Sequence, residues 1–337
     1  MPWTAIRFLA GLSVLALAST PTVADQPSFG LPLDCTPGED CWILSYVDHD
    51  PTDGVRDYAC GVATYNVPPY NRHKGTDIAI RDLQAMRDGV EVVAAADGIV
   101  IGTRDGMPDV NVRDIGLAAL EGRECGNTVG INHGGGWSSQ VCHLRKGSVS
   151  VRKGDRVKSG QRLGLVGLSG ATEFPHVHFH VFKGKELVDP VVGLERSRPC
   201  GIGDRPLWRA DVLVRLPYGP SAIFNAGFAP NKPDPEALRN GRYRDDRIPY
   251  DAPAILIWAE MFNVRKDDRL TLRIFAPNGR QMFANSYVLE KNKALRYNFG
   301  GIRRKGPAWP TGIWRGEIIL ERRLGPPLVA IREVEVR

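Results

Sequence analysis

The sequence is poor in histidine and in long hydrophobic segments. Only seven histidines occur in 337 residues, and all of them precede residue 181. After residue 26 no segment is apolar over the roughly 20 residues that a membrane-spanning helix requires, so we expect no multi-span membrane protein. No C-x-x-C pair occurs, which argues against a structural zinc site built from cysteines.

The first 26 residues, MPWTAIRFLAGLSVLALASTPTVADQ, have the pattern of a targeting segment. Arg7 is followed by an apolar run from Phe8 to Ala18 and by small residues ending at Ala24. This pattern is typical of a secretory signal peptide over residues 1–24, cleaved near Ala24. The apolar run is too short to span a bilayer, and an uncleaved anchor is the alternative. We therefore expect an exported protein, either periplasmic or extracellular.

The six cysteines all follow the predicted cleavage point. An even number in an oxidising compartment favours three disulfides, although six cysteines can pair in many ways and the sequence does not determine the pairing. The arrangement that we expect has a local loop, a bridge across a hairpin and a tie between the start and end of one domain. These pairs are Cys35–Cys41, Cys125–Cys142 and Cys60–Cys200.

The net charge of +6 is distributed unevenly along the chain. Residues 201–337 carry 24 Lys and Arg against 15 Asp and Glu, whereas residues 1–200 carry a small acidic excess. A basic region of this kind favours an anionic partner, such as a cell wall or membrane surface. A solvated basic face without a partner is the alternative. We expect no nucleic-acid partner.

The segment patterns predict an all-β protein with two folded regions. Residues 25–60 are a turn-rich extension, and residues 61–195 alternate short strands with glycine turns, as in VRKGDRVKSGQRLGLVG. A turn-rich stretch at 195–206 separates these from residues 205–337. The last region holds about seven strand candidates and an Asn278-Gly279 hairpin signal, which predicts an antiparallel, immunoglobulin-like β-sandwich.

The stretch FPHVHFHV, residues 174–181, places His176, His178 and His180 at every second position. Side chains at i, i+2 and i+4 of a strand point to the same face, and the intervening Phe and Val favour a strand. Three imidazoles on one face suit a metal site or proton-transfer groups. The alternative is a set of polar residues on the solvent face of a half-buried strand.

Other histidines favour the metal interpretation. His73 and Asp77 form an H-x-x-x-D pattern in HKGTD, and His143 lies at the end of a predicted hairpin. Histidine and aspartate are good zinc ligands, and a catalytic zinc keeps three protein ligands and one open position for water. Zinc lowers the pKa of that water to about 7, while further imidazoles move protons or stabilise an oxyanion.

Taken in order, four motifs resemble the lysostaphin/LytM-type zinc endopeptidases. They are HKGTD (73–77), INHGGGWSSQVCHL (131–144), VRKGDRVKSGQRLGLVGLSG (151–170) and PHVHFHV (175–181). Members of this family are peptidoglycan hydrolases with an antiparallel β core. The likeness covers roughly residues 58–192, which is less than half of the chain.

The resemblance implies a role for each matching residue. His73, Asp77 and His178 match the ligands of one zinc ion, and His143 and His176 match the two catalytic histidines. It implies a monomeric enzyme that hydrolyses peptide cross-links of peptidoglycan, with one histidine as general base and the other stabilising the oxyanion. Some relatives have lost ligands and activate other hydrolases, so a non-hydrolytic wall-binding or regulatory protein is the alternative. All five family positions are filled here.

Three histidines lie outside this set. Many family members carry an acidic or amide residue at the position of His180, which is either an outer group of the site or a plain strand residue. We expect a strand residue, since a fourth protein ligand would close the catalytic position. We expect His133 to be a structural turn residue. His49 is expected to be a turn residue too, with capping of the zinc in a latent form as the alternative.

Overall fold

A computed structural model describes residues 26–66, 72–244, 246–323 and 325–337. The predicted signal peptide, residues 1–24, lies outside the described residues. Antiparallel β-strands dominate these ranges, which confirms the predicted fold class. Within them, no helix combines the length and the apolar character that crossing a membrane requires.

The first half of the chain forms one large and one small sheet. Its strands are β1 (Cys41–Ser45), β2 (Thr76–Ile80), β3 (Glu91–Val93), β4 (Gly98–Arg104), β5 (Asn127–Gly134), β6 (Trp137–Leu144), β7 (Arg156–Val157), β8 (Arg162–Leu165), β9 (His176–Lys183) and β10 (Glu186–Val188). The large sheet has the order β1-β2-β9-β6-β5-β4-β7, with β10 beside β9, and β3 pairs with β8. The histidine-rich strand β9 therefore lies inside the sheet, between β2 and β6.

The alternation of β9 fixes which face carries the histidines. Val177, Phe179 and Val181 are fully buried in the hydrophobic core below the sheet. Because successive side chains of a strand point to opposite faces, the three histidines of β9 project from the other face. Burial of the three apolar side chains, worth about 2 kcal/mol each, therefore holds the strand in this register.

The second half of the chain forms the predicted β-sandwich. Its strands are β11 (Ala222–Ala229), β12 (Arg247–Ile248), β13 (Ala254–Val264), β14 (Arg269–Phe275), β15 (Gln281–Val288), β16 (Lys293–Arg303), β17 (Gly312–Glu321) and β18 (Leu328–Val336). One sheet has the order β11-β13-β16 and the other β12-β18-β17-β14-β15. Buried residues of both sheets, such as Ile257, Leu272 and Trp314, share one hydrophobic core. The immunoglobulin-like topology stays a prediction.

The helices are short and lie in the connections. They are α1 (Leu83–Asp88), α2 (Val112–Ile115), α3 (Ala210–Arg215) and α4 (Pro235–Arg239), with a 3₁₀ turn at Leu117–Leu120. The 3₁₀ turn falls in the segment GLAAL. The Asp82 side chain caps α1 by accepting a hydrogen bond from the backbone N–H of Ala85.

All three expected disulfides are present: Cys35–Cys41, Cys60–Cys200 and Cys125–Cys142. The bridge between Cys60 and Cys200 joins residues 140 positions apart and ties the extension to the segment that follows the first sheet. The extension is itself part of the fold. It supplies the edge strand β1 and buries Phe29 and Leu33 in the first core.

The two halves of the chain meet through an aromatic cluster. Trp42, Ala79 and Phe174 of the first half pack against Phe224 and Phe262 of the sandwich. The rings of Phe224 and Phe262 stack at a centroid distance of 3.9 Å. Domain limits at 61–195 and 205–337 stay a prediction.

An ion pair supports the same contact. The Arg244 guanidinium lies 2.5 Å from the buried carboxylate of Asp82 and 3.3 Å from that of Asp88. Both carboxylates belong to the start and end of α1, whereas Arg244 follows α4 in the sandwich half. Charged and aromatic contacts therefore fix the sandwich against the first sheet.

Candidate metal centre and active site

The pairing of β2 with β9 brings Asp77 and two histidines together. Asp77 lies opposite His178, and Ala79 lies opposite His176 in the antiparallel register. His73 enters the same place from the segment before β2. The H-x-x-x-D motif therefore places the side chains of His73 and Asp77 next to the β9 histidines.

The ligand atoms of His73, Asp77 and His178 all lie within 4.8 Å of one another. His73 Nε2 is 3.0 Å and His178 Nδ1 is 2.8 Å from the same oxygen, Oδ1 of Asp77. His73 Nε2 is 3.0 Å from His178 Nδ1. Burial opposes the charge of Asp77, but the neighbouring His73 and His176 outweigh it and hold the pKa of this carboxyl well below its usual range.

A backbone contact sets the protonation of His73. Its Nδ1 lies 2.7 Å from the carbonyl oxygen of Tyr46, which can only accept a hydrogen bond. Nδ1 therefore donates, and Nε2 keeps a lone pair directed at Asp77. Neutral imidazole with carboxylate is a ligand set that suits Zn²⁺. The residues present fit a zinc ion.

The two remaining family histidines adjoin this group. The rings of His143 and His176 have centroids 4.7 Å apart, and His176 Nε2 lies 3.5 Å from Asp77 Oδ1. His143 Nδ1 donates to the carbonyl of Ser169 at 2.7 Å, and His176 Nδ1 donates to that of Phe174 at 2.8 Å. In its neutral form each histidine therefore has an unprotonated Nε2 that can accept a proton.

Their electrostatic environments differ. Burial, followed by the charges of His176 and His178, holds the pKa of His143 well below its usual value. Burial also disfavours the charged form of His176, but the Asp77 carboxylate outweighs it and raises the pKa of His176. Two titratable groups in one site with pKa values pushed apart are typical of acid–base catalysis.

Residues 71–190 match the family model of peptidase family M23. This segment is a peptidase family M23 domain. The match contains every residue of the cluster and confirms the lysostaphin/LytM-type resemblance.

Two curated proteins are similar to part of this chain. The chain is 33% identical over 109 residues to the peptidoglycan DD-endopeptidase ShyA of Vibrio cholerae, which covers 32% of this chain and 20% of the relative. It is 34% identical over 109 residues to the cell division protein DipM of Caulobacter vibrioides, covering 30% of this chain and 17% of that protein. The chain thus spans about a fifth of the length of these relatives.

Solved structures give weaker similarities. A zinc-containing peptidase from Vibrio cholerae is 25% identical, with 45% of this chain and 39% of that chain covered at a TM-score of 0.28. The catalytic domain of lysostaphin from Staphylococcus simulans is 23% identical, with 38% of this chain and 83% of that chain covered at a TM-score of 0.27.

Gly75 permits the close approach of His73 and Asp77 to β9. A Cβ atom on this residue would lie 2.7 Å from both His178 Cε1 and the carbonyl oxygen of Phe179. Any side chain at position 75 would therefore displace the imidazole of His178. This explains the glycine in the HKGTD motif of the M23 domain.

The backbone of His143 has an unusual conformation. Its φ is 64°, in the left-handed region that non-glycine residues rarely occupy. The neighbouring Cys142 is bridged to Cys125, and the His143 N–H donates to the Cys125 carbonyl at 2.9 Å. A disulfide thus holds the chain at the point where the M23 domain presents this histidine.

Sequence reasoning missed Tyr65. Its ring stacks on the ring of His73 at 4.3 Å, and its carbonyl accepts the His73 N–H at 3.1 Å. Tyr65 is 40% exposed, and the charge of Asp77 and a hydrogen bond to that carboxylate raise the pKa of Tyr65. The sequence did not indicate this contact, because a tyrosine eight residues before His73 is not part of any motif with a fixed spacing.

The other three histidines have distinct partners. His133 lies near the end of strand β5 rather than in the turn, with contacts to the Asp97 carbonyl at 2.7 Å and the Ser139 hydroxyl at 2.8 Å. His49 pairs with the Asp189 carboxylate at 2.7 Å.

His180 lies in strand β9, as expected, beside a residue of the candidate metal site. Its Nδ1 lies 3.3 Å from His178 Nε2, because the two side chains are neighbours on one face of β9. Burial, followed by the charges of His178 and His73, lowers the pKa of His180 to about 3.

Proposed function

We propose that this protein is an exported zinc endopeptidase that hydrolyses peptide cross-links of bacterial peptidoglycan. The observation that carries the proposal is the convergence of His73, Asp77 and His178 beside His143 and His176 in an M23 domain. The printed name of the Vibrio cholerae relative, a peptidoglycan DD-endopeptidase, supports the substrate class. The signal-peptide pattern of residues 1–24 supports export.

His73 Nε2, a carboxylate oxygen of Asp77 and His178 Nδ1 would hold the zinc ion. When bound, zinc polarises the scissile carbonyl and makes hydroxide available at neutral pH. Three protein ligands leave a coordination position for water or substrate, as a catalytic site requires. His73 and Asp77 are buried and His178 is half-buried, and the pairing of β2 with β9 holds Asp77 opposite His178, which favours binding of the ion with little reorganisation.

His143 and His176 would carry the proton transfers. Each has its Nδ1 proton held by a backbone carbonyl, so each offers Nε2 as an acceptor. One accepts a proton from the attacking water and passes it to the leaving amine, and the other stabilises the oxyanion when protonated. Replacing each of the two histidines in turn tests which of them has which role.

One experiment distinguishes the endopeptidase from the alternative, a non-hydrolytic wall-binding or regulatory protein. Purified protein beginning at residue 25 is incubated with purified peptidoglycan, and released muropeptides are separated and identified. We expect cleaved cross-links from the wild type, none after chelation, and a loss of at least about 100-fold in His143→Ala. His178→Ala should lose both cleavage and zinc, whereas His143→Ala should keep zinc.

His133→Ala is the matched control, because it removes a histidine from the same β5–β6 hairpin at a distance from the cluster. This variant should retain cleavage. Full activity in His178→Ala would refute the site assignment. Zinc binding by the wild type without any cleavage of cross-links would favour the regulatory alternative.

A further inference from the structure

We propose that His180 is a positioning residue that fixes the tautomer of His178 through a directed chain of hydrogen bonds running across strands β9, β6 and β5. The inference rests on the proposed zinc site, because His178 is one of its ligands. The chain delivers an unprotonated Nδ1 to the metal position before any metal arrives.

Strand register places the members of this chain in a row. His180 lies opposite Gln140 in the pairing of β9 with β6. His178 Nε2 is 3.3 Å from His180 Nδ1, and His180 Nε2 is 2.8 Å from Gln140 Oε1. On the far side, Gln140 Nε2 is 2.8 Å from Thr128 Oγ1, whose hydroxyl donates to the Val141 carbonyl at 2.6 Å.

The donor and acceptor of each hydrogen bond in this chain follow from the Val141 carbonyl at its end. The Val141 carbonyl can only accept, so the single hydroxyl proton of Thr128 is committed to it. Thr128 Oγ1 must therefore accept from Gln140, which means that the amide nitrogen faces Thr128. The same nitrogen lies 3.4 Å from Cys125 Sγ, so its second proton also has an acceptor. The amide oxygen of Gln140 therefore faces His180.

This orientation determines both imidazoles. Gln140 Oε1 can only accept, so His180 Nε2 carries a proton and the neutral ring keeps a lone pair on Nδ1. His178 Nε2 must then donate to His180 Nδ1. A neutral His178 with its proton on Nε2 has a lone pair on Nδ1, the atom that lies 2.8 Å from Asp77. The backbone carbonyl of Val141, four hydrogen bonds away, thereby selects the tautomer of His178 that can bind a metal.

His180 acts from outside the ligand group. Its contact is with Nε2 of His178, whereas the metal-facing atom is Nδ1, on the other side of the same ring. A group that hydrogen-bonds to the other nitrogen of a metal-binding histidine orients the ring. Loss of such a group typically weakens metal binding by roughly 10- to 100-fold. A glutamine at position 180 would also present an acceptor to His178, whereas leucine would not.

The test measures zinc affinity rather than peptidase activity. Zinc is removed from the full protein by a chelator, and its affinity is measured by competition with a chromophoric chelator in the wild type, His180→Leu, His180→Gln and Gln140→Leu. We expect His180→Leu to bind zinc about 10- to 100-fold more weakly and His180→Gln to stay within about threefold of the wild type. Gln140→Leu should fall between them, because His180 then loses its orientation.

A second readout needs no metal. Long-range ¹H–¹⁵N correlation spectra of the metal-free protein report which nitrogen of each histidine carries the proton. We expect His178 to be protonated on Nε2 in the wild type and in His180→Gln, and to be a mixture of tautomers in His180→Leu. Equal zinc affinity in His180→Leu and wild type, or a wild-type His178 protonated on Nδ1, would overturn the inference.

The outcomes separate this inference from the proposed function. A wild type that binds no zinc would refute both. A wild type that binds zinc while His180→Leu behaves identically would refute only the role of His180. Should His180→Leu fail to fold, as judged by its thermal unfolding, the comparison of Gln140→Leu with the wild type still decides the question.

Discussion

The ring of Phe174 lies edge-on against the ring of Phe262, with centroids 5.3 Å apart. Phe174 belongs to the M23 domain, and its carbonyl oxygen accepts the Nδ1 proton of His176. Phe262 belongs to strand β13 of the sandwich and stacks on Phe224, which also contacts Phe174 at 5.5 Å. The sandwich therefore packs directly on the residue that orients a proposed catalytic histidine.

This contact predicts that the sandwich supports catalysis from a distance. Phe262→Ala should lower the rate of cross-link cleavage by about 10-fold or more, because a small displacement of a catalytic group is costly. Zinc content should be unchanged, because none of the three proposed ligands belongs to the sandwich. His73 precedes strand β2, Asp77 lies on β2 and His178 lies on β9. Muropeptide release and elemental analysis on the same preparation check both statements.

Phe299→Ala provides the control for Phe262→Ala. Phe299 lies in the same three-stranded sheet but packs with Tyr297 in a separate cluster. Its loss should leave cleavage close to that of the wild type. Equal rates in both variants and the wild type would show that the aromatic contact does not reach His176.

The disulfide beside His143 gives a second prediction. A left-handed backbone costs a non-glycine residue about 1–2 kcal/mol, and the Cys125–Cys142 bridge holds His143 in that conformation. The double variant Cys125→Ser/Cys142→Ser should therefore lose about 10- to 100-fold in cleavage rate while it retains zinc. The measurement is the initial rate of muropeptide release at equal zinc loading.

The bridge between Cys35 and Cys41 supplies a matched control. It closes a loop of similar chemistry that belongs to the extension rather than to the β5–β6 hairpin. Cys35→Ser/Cys41→Ser should cleave at nearly the wild-type rate. If both double variants lose the same activity, the effect is one of general stability and not of His143 geometry.

Glu260 makes stability depend on pH. It is buried in β13 beside Asn225, whose amide nitrogen donates to its carboxyl at 3.0 Å. Burial raises the pKa of Glu260 from its ordinary 4.5 to about 7. The folded state therefore keeps a proton that the unfolded chain has lost, so stability falls as the pH rises from about 4.5 to about 7.

Glu260→Gln should remove this dependence, because glutamine keeps a hydrogen-bond acceptor and carries no charge. The raised pKa corresponds to about 3 kcal/mol at most, fully lost above pH 7. We expect the variant to unfold at a higher temperature than the wild type at pH 8, with a smaller difference at pH 5. The exposed Glu321→Gln is the control, and an equal pH response in all three proteins would contradict the prediction.

Several features of the site follow from sequence pattern alone. The alternation in FPHVHFHV placed three histidines on one face because Val177, Phe179 and Val181 must be buried. The spacing of His73 and Asp77 brought them to that face through the pairing of β2 with β9. Local periodicity and motif order suffice for such features.

Other features depend on contacts that no local pattern encodes. The role of His180 depends on Gln140 lying opposite it, which follows from the register of β6 against β9. Tyr65 stacks on His73, eight residues later in the chain, and no motif spacing marks that pair. The contact of Phe262 with Phe174 joins residues far apart in sequence, and apolar residues in a strand do not say which surface they will meet.

The most direct test of the account is a zinc titration of the metal-free protein that follows bound zinc and cross-link cleavage together. Protein beginning at residue 25 is stripped with a chelator and receives zinc in small steps in the presence of purified peptidoglycan. We predict no cleavage at the start and a linear rise that stops at about one zinc per chain, the number that one His-Asp-His group can hold. Cleavage that persists without metal, or zinc uptake that never produces cleavage, would contradict the account.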